Sequence, residues 1–271
     1  MNNGVAQEVY CRFSYQSVVQ YGKVVDKSIL PLDKAPWENG KPAGQKIDLN
    51  KVLLLHPTEP KIIIGIGKPF SEGMDTANPY KVVRWFVKPP SSAGSPGQKI
   101  VLPELIDKIK VEVELVVIIG KTIKNGNEAE ADNAIFGYTM GNDIGGDAAS
   151  FHERQNEPKD IPDSLLGTGL KVGDNFAPYG PFIYRNIDWR NHEKELLITN
   201  EDGKEISHFN ENTNEMAYSP AKIVSDMSKI LTLSPGDVIF CGTAKSFLAK
   251  PGDKVNIYIN GIGSFSNEIV K

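Results

Sequence analysis

The run KVEVELVVIIG, residues 110–120, constrains the fold more than any other segment. Its valines and isoleucines carry the β-branched side chains that suit a pleated strand. Side chains two apart on a strand share a face. Val111, Val113, Leu115, Val117 and Ile119 therefore point one way, into a core, and Glu112 and Glu114 point the other way. Two neighbouring carboxylates in a mostly buried setting repel each other and are costly without a cation. Three readings of the pair stay open on the pattern alone. The first half of the strand is exposed and both glutamates are solvated; or they form an acid–base pair; or they bind a hard divalent cation, which favours oxygen ligands.

The other segments agree with a sheet-rich chain. EVYCRFSY and YGKVVDKSILPL alternate as short strands, with Gly22 and Asp26 read as turn residues. A Pro/Gly-rich connection, residues 31–45, and KVLLLHP follow, and a soft boundary falls near His56–Pro57. It divides a small N-terminal β region, 1–56, from a larger domain, 57–271. KIIIGIG reads as a buried strand running into a loop. NEAEADNAIFGYTM, ending at Met140, puts Ala131, Ala134, Ile135 and Tyr138 on one helical face, with Gly137 near its end. LLITNEDGKEISHF is a hairpin turned by Asp202-Gly203. YSPAKIVSDMSKIL is a helix capped by Ser219, with Pro220 at its first position and Ile223, Val224, Met227 and Ile230 as its apolar stripe. Pro-Gly-Asp turns introduce the last strands. Strands outnumber helices, which predicts a mainly β fold with few helices (α+β) and excludes a repeated βαβ architecture.

Composition narrows the function classes. The chain has 271 residues, 40% hydrophobic and 24% charged, an ordinary soluble globular profile. A net charge of -4 with no Lys/Arg run offers nucleic acid no footprint. Cys11 and Cys241 make no metal or redox motif and read as reduced thiols of a cytoplasmic protein. MNNGVAQEVYCRF lacks the pattern of a secretory signal, and no apolar run approaches the ~18 residues that span a membrane.

Two further segments bear on the glutamates. GYTMGNDIGGD presents Asp143, and GTGLKVGDNFAPYGP presents Lys171 in a Gly-rich loop ahead of a strand. Carboxylates for a metal and a lysine for an anionic substrate group make one chemistry. Taken singly, Asp143 is equally a turn or cap residue and Lys171 a solvated one.

Together these segments resemble the fumarylacetoacetate hydrolase family. Asp143 of GND follows Glu114 of EVEL by 29 residues. Lys171 opens KVGDNFAPYGP, similar to the family's K-x-x-D-x-F-x-P-x-G-P. LSPGDVIFCGTA, PGDKVNIYINGIGSFSNEIV and the earlier WFVKPPSS match in order, so the likeness runs over roughly residues 60–271. It implies a mixed β-roll, usually dimeric, with a small N-terminal β region. It implies that Glu112, Glu114 and Asp143 hold Mg²⁺, or Mn²⁺ or Ca²⁺. Lys171 would hold or polarise a substrate oxygen, and Thr243 would contact a substrate carboxylate. The substrates implied are small 2-oxo, β-diketo or dienol acids.

Two departures bear on the reaction. The family's first strand ends like G-L-N-Y-x-x-H, and that His activates water in C–C hydrolases. Here the run is Gly65-Ile66-Gly67-Lys68-Pro69-Phe70-Ser71-Glu72, with Ser71 where the His is expected and Glu72 beside it. After Asp143 the family often has an Arg where this chain has Gly146. Of the four histidines, His56 reads as structural and His192 and His208 as exposed, leaving His152 to reach the site. Residues 65–72 and 153–166 are read as lids. The implied activity is C–C bond hydrolysis through a stabilised enolate. The alternatives are an isomerase, decarboxylase or dehydratase of a 2-oxo acid, favoured if the missing His is decisive, and a non-catalytic family member that binds metal or ligand.

Overall fold

Val113–Ile119 lies inside an eleven-stranded sheet, and every residue of it is buried. The computed structural model describes residues 6–67, 83–104, 106–147 and 170–271. The sheet runs, in order, Ile47–Asp48, Ser28–Leu32, Val18–Val25, Glu8–Tyr15, Phe182–Arg185, Ile135–Asn142, Val113–Ile119, Val238–Phe240, Ile63–Gly67 and Arg84–Lys88, with Leu53–Leu54 paired onto Glu8–Tyr15. Most pairs are antiparallel, but Val238–Phe240 runs parallel to Ile63–Gly67, so the sheet is mixed. A five-stranded sheet, from Glu205–Asn212 through Glu193–Thr199, Lys254–Ile259 and Gly263–Val270 to Ile100–Val101, is the other large layer.

These layers explain why the central strand reads as continuously apolar. Leu115, Val117 and Ile119 join one core with Leu196, Ile198 and Ile257 of the five-stranded sheet. Val116 and Ile118 join a second core with Phe240, Tyr179 and Ile183. Both faces are therefore packed, where the sequence pattern suggested one apolar face. The strand is also interrupted at Glu112. Ile109–Val111 belongs to a separate three-stranded sheet with Gly145–Gly146 and Phe247–Ala249.

The N-terminal strands extend the central sheet through the pairing of Glu8–Tyr15 with Phe182–Arg185. Aromatic contacts reinforce that join: Trp37 meets Phe136 edge-on at 5.7 Å, and Tyr10 lies 5.5 Å from the same ring. Gly22 sits within Val18–Val25 and makes no turn. Its missing side chain leaves room for Ile29, since a Cβ there would lie 2.2 Å from Ile29 Cγ2. Asp26, at φ 56°, does turn the chain.

Two α-helices are present among the described residues. α1, Glu128–Ala134, begins at a reciprocal capping box between Asn127 and Glu130. It stops at Ala134, and Ile135–Asn142 is a strand, contrary to the helical reading of that stretch. Ala131, Ala134, Ile135 and Tyr138 fit a helical period, but Ile-Phe-Gly-Tyr-Thr-Met is rich in strand formers and pairs with Val113–Ile119. α2, Pro220–Ile230, has Ser219 accepting from the Lys222 amide as its cap. Ile223, Val224 and Met227 are buried, while Ile230 at the last turn is exposed. α1 and α2 pack together, and Ser225 and Ser228 bond the backbone of Gly126 ahead of α1. Asp202-Gly203 turns the expected hairpin. No helix among the described residues is long and apolar enough to cross a membrane.

Candidate active site

Antiparallel pairing brings the two acidic segments together. Val113 lies opposite Asn142 and Glu114 opposite Gly141. The Asn142 side chain then accepts the Glu112 amide at 3.0 Å, and the Asp143 amide donates to the Glu112 carbonyl at 3.0 Å. These two bonds fix the chain where the strand breaks and set Asp143 beside both glutamates. One oxygen from each of Glu112, Glu114 and Asp143 lies within 4.8 Å of the others. Glu114 and Asp143 are buried and the Glu112 side chain is 18% exposed, so neither glutamate is freely solvated.

Two lysines face this cluster. Lys88 closes the strand Arg84–Lys88 and is fully buried. Its ammonium lies 2.7 Å from Asp143 Oδ1 and donates to the carbonyls of Ile144 at 2.6 Å and Phe176 at 2.8 Å. Lys171 donates to Asp143 Oδ2 at 2.6 Å and reaches Glu112 at 3.5 Å. Its ammonium also stands 5.0 Å above the Phe86 ring. Gly145 gives its stem room: a Cβ there would stand 3.1 Å from Lys171 Cδ. The glycines after Asp143 thus have a local use, since they let a lysine from another segment lie across them.

The electrostatics follow from burial and charge. Burial pushes the Glu112 carboxyl up to about 7, with Lys171 opposing and Asp143 adding to the effect. Burial, then the charges of Asp143 and Glu112, raise Glu114 well above its ordinary value. Burial acts upward on Asp143 as well, but Lys88 and Lys171 outweigh it and hold this carboxyl below its ordinary value. Burial works against the Lys171 charge, yet Asp143 and Glu112 raise its pKa.

A third segment completes the wall. Gly242, at φ +84°, turns the chain so that its amide donates to Glu114 Oε2 at 2.6 Å. Thr243 follows and is buried. Its hydroxyl donates to Glu211 Oε1 at 2.5 Å, and the Ala244 amide donates to Glu211 Oε2 at 3.0 Å. Lys194, fully buried, pairs with Glu211 Oε1 at 2.5 Å and bonds the carbonyls of Val113 and Gly242.

The geometry thus gathers Glu112, Glu114, Asp143 and Lys171, with Thr243 one residue from the amide that holds Glu114. Glu72, His152 and the lid 153–166 lie outside the described residues, as does 68–72 of the other lid. The remaining histidines stand elsewhere. His56 is bonded to Ser95 and packed on Tyr179, and burial pushes its pKa down to about 4. His192 bonds the carbonyls of Asn260 and Asp188, and exposed His208 pairs with Glu195. Sequence reasoning missed Lys88, Lys194 and Glu211. Lys88 carries a weak signal, a lone cation closing the apolar RWFVK, whereas Lys194 and Glu211 alternate with other charged residues and carry none.

The donor set fits a hard divalent cation. It offers three carboxylates, and Glu114 Oε1 is buried with no hydrogen-bond partner. A mainly β enzyme with an acidic cation cradle faced by lysines is the class that fold and site define. Residues 66–270 match the family model "Fumarylacetoacetate (FAA) hydrolase C-terminal", and residues 10–57 match "Rv2993c-like, N-terminal". A fumarylacetoacetate hydrolase domain-containing protein 2 homolog of Dictyostelium discoideum is 32% identical over 249 residues, covering 83% of this chain and 77% of the relative. A crystal structure of 2-hydroxyhepta-2,4-diene-1,7-dioate isomerase from Mycobacterium marinum superposes with a TM-score of 0.79 at 26% identity, covering 98% of each chain. That of 5-carboxymethyl-2-hydroxymuconate delta-isomerase from Mycobacterium smegmatis gives 0.81 at 25%, covering 97% of this chain and 99% of that one. The chain belongs to the fumarylacetoacetate hydrolase family and is an enzyme of that family.

Proposed function

We propose that the protein converts a small 2-oxo, β-diketo or dienol acid through an enolate, with Mg²⁺ or a similar divalent cation held by Glu112, Glu114 and Asp143. The observation that carries this reading is Lys171 lying on Asp143 Oδ2 beside a glutamate oxygen that has no partner. A bound divalent cation would polarise the 2-oxo group. The protein's own residues supply the rest. Lys88 holds one oxygen of Asp143, which turns the other oxygen toward Lys171. The Gly242 amide fixes Glu114 in the same way. Lys171 stays protonated and offers N–H donors to the oxygen on which negative charge develops. An enolate protonated at a different carbon is an isomerised product, and this chemistry needs no activated water.

Isomerisation is the reading the sequence favours, because Ser71 stands where C–C hydrolases of the family carry their water-activating His. Two similar solved structures are themselves named as isomerases. C–C hydrolysis is the second reading, supported by Glu72 beside that position. The test is turnover of a 2-hydroxy-dienoate, an acylpyruvate, oxaloacetate and a 2-keto-3-deoxy acid with Mg²⁺ or Mn²⁺, with and without EDTA. Turnover that EDTA and Glu114→Gln both abolish supports the reading, and product analysis separates isomer from cleavage products. Turnover that survives both refutes the cation-dependent mechanism.

A further inference from the structure

Glu211 and Lys194 form a second buried ion pair behind Thr243, with side chains 2% and 0% exposed. Taking two charges out of water is expensive, and apolar side chains of similar volume often serve stability as well or better. What the pair does to its surroundings is specific. Glu211 takes both donors of the turn after Gly242, the Thr243 hydroxyl and the Ala244 amide. A threonine hydroxyl has one proton and two lone pairs. With the proton on Glu211, Thr243 has only lone pairs to offer any other group. A substrate carboxylate placed there would set a second anion against a proton already held by the first.

We infer that Lys194 and Glu211 are positioning residues that make Thr243 a hydrogen-bond acceptor, so that the substrate group taken at Thr243 is a hydroxyl or enol O–H and not a carboxylate. This rests on the reading of the carboxylate cluster as a site for small oxygenated acids. It differs from the role the family resemblance implies for Thr243. Lys194 gives the arrangement its permanence. Its ammonium neutralises Glu211, and its bonds to Val113 and Gly242 tie the pair to the backbone on either side of Glu114.

The test compares two inert ligands on the full chain loaded with Mg²⁺: (S)-malate, and (S)-2,4-dihydroxybutanoate, in which a hydroxymethyl group replaces the far carboxylate. Oxalate serves as the reference ligand. Calorimetry is expected to show dihydroxybutanoate binding about tenfold or more tighter than malate, the scale of one buried hydrogen bond. Thr243→Val removes that preference and Thr243→Ser keeps it. The double variant Lys194→Met/Glu211→Gln, which leaves no buried charge, frees the hydroxyl proton and shifts the ratio toward malate. A role confined to stability would move the melting temperature and leave the ratio alone. The inference is overturned if oxalate binds and malate binds as well as dihydroxybutanoate, if neither of the pair binds, or if the preference survives in Thr243→Val. Absence of binding by all three ligands, with Mg²⁺ still bound, instead removes the substrate-site reading, and the inference falls with it.

Discussion

Replacing Glu112 by Gln should stabilise the metal-free protein, and by an amount that grows with pH. Burial raises the Glu112 carboxyl from an ordinary 4.5 to about 7 in the folded state. The folded state then holds a proton that the unfolded chain has released. The stability linked to that proton is fully present below pH 4.5, falls as pH rises toward 7, and is gone above it. At ~1.36 kcal/mol per tenfold change, the loss is about 3 kcal/mol at pH 8. Gln has no proton to lose. His56 acts in the opposite sense over nearly the same window, because its folded pKa is pushed down to about 4, and stability linked to it grows as pH rises toward 6.5. The total slope of either protein therefore mixes both groups, while their difference isolates Glu112. The assay is urea denaturation in EDTA of wild type and Glu112→Gln from pH 4.5 to 8.5. The two should coincide near pH 4.5 and separate to about 3 kcal/mol in favour of the variant by pH 8. Adding Mg²⁺ should reverse the order, since only the wild type keeps all three carboxylates. A difference that does not change with pH, or a variant less stable than wild type at pH 8 in EDTA, would refute the buried-carboxylate argument.

Other substitutions probe the packing around the site. Lys88→Met leaves the Asp143 carboxylate and two buried carbonyls without their cation, and should cost about 3–5 kcal/mol in equilibrium denaturation. Adding Asp143→Asn to that variant should recover part of the loss. Gly22→Ala should cost about 1–3 kcal/mol, because its Cβ would meet Ile29 at 2.2 Å and Phe13 at 2.9 Å. Far-UV circular dichroism on melting would show a lower transition with the native spectrum retained below it.

Local chemistry made much of this protein legible in its sequence. Asp202-Gly203, Ser219-Pro220 and the Pro-Gly-Asp turns each act within a few residues, so tertiary packing does not overrule them. Glu112 and Glu114 were legible because carboxylates are out of place on an apolar strand. The stretch from Ile135 to Met140 was misread because a helical period and a strand of alternating large and small residues coincide there, and pairing with Val113–Ile119 decided between them. Lys88, Lys194 and Glu211 escaped notice for a different reason. A lysine that ends buried looks the same in sequence as one in water, and only the partner across the sheet distinguishes them. Gly22 was read as a turn from its residue type, whereas its neighbour Ile29 required it.

The place of Val238–Phe240 in the central sheet has a consequence for biosynthesis. This strand lies between Val113–Ile119 and Ile63–Gly67, although it is made more than a hundred residues after both. A ribosome that has released only the first two hundred or so residues has therefore made two apolar strands with nothing between them. Open strand edges of that kind recruit other chains. Stalled or prematurely ended translation of this message should yield aggregates and not a smaller working enzyme. The same order means that Gly242, which holds Glu114, arrives with the strand that closes the gap, so the cation cradle and the finished sheet come into being together.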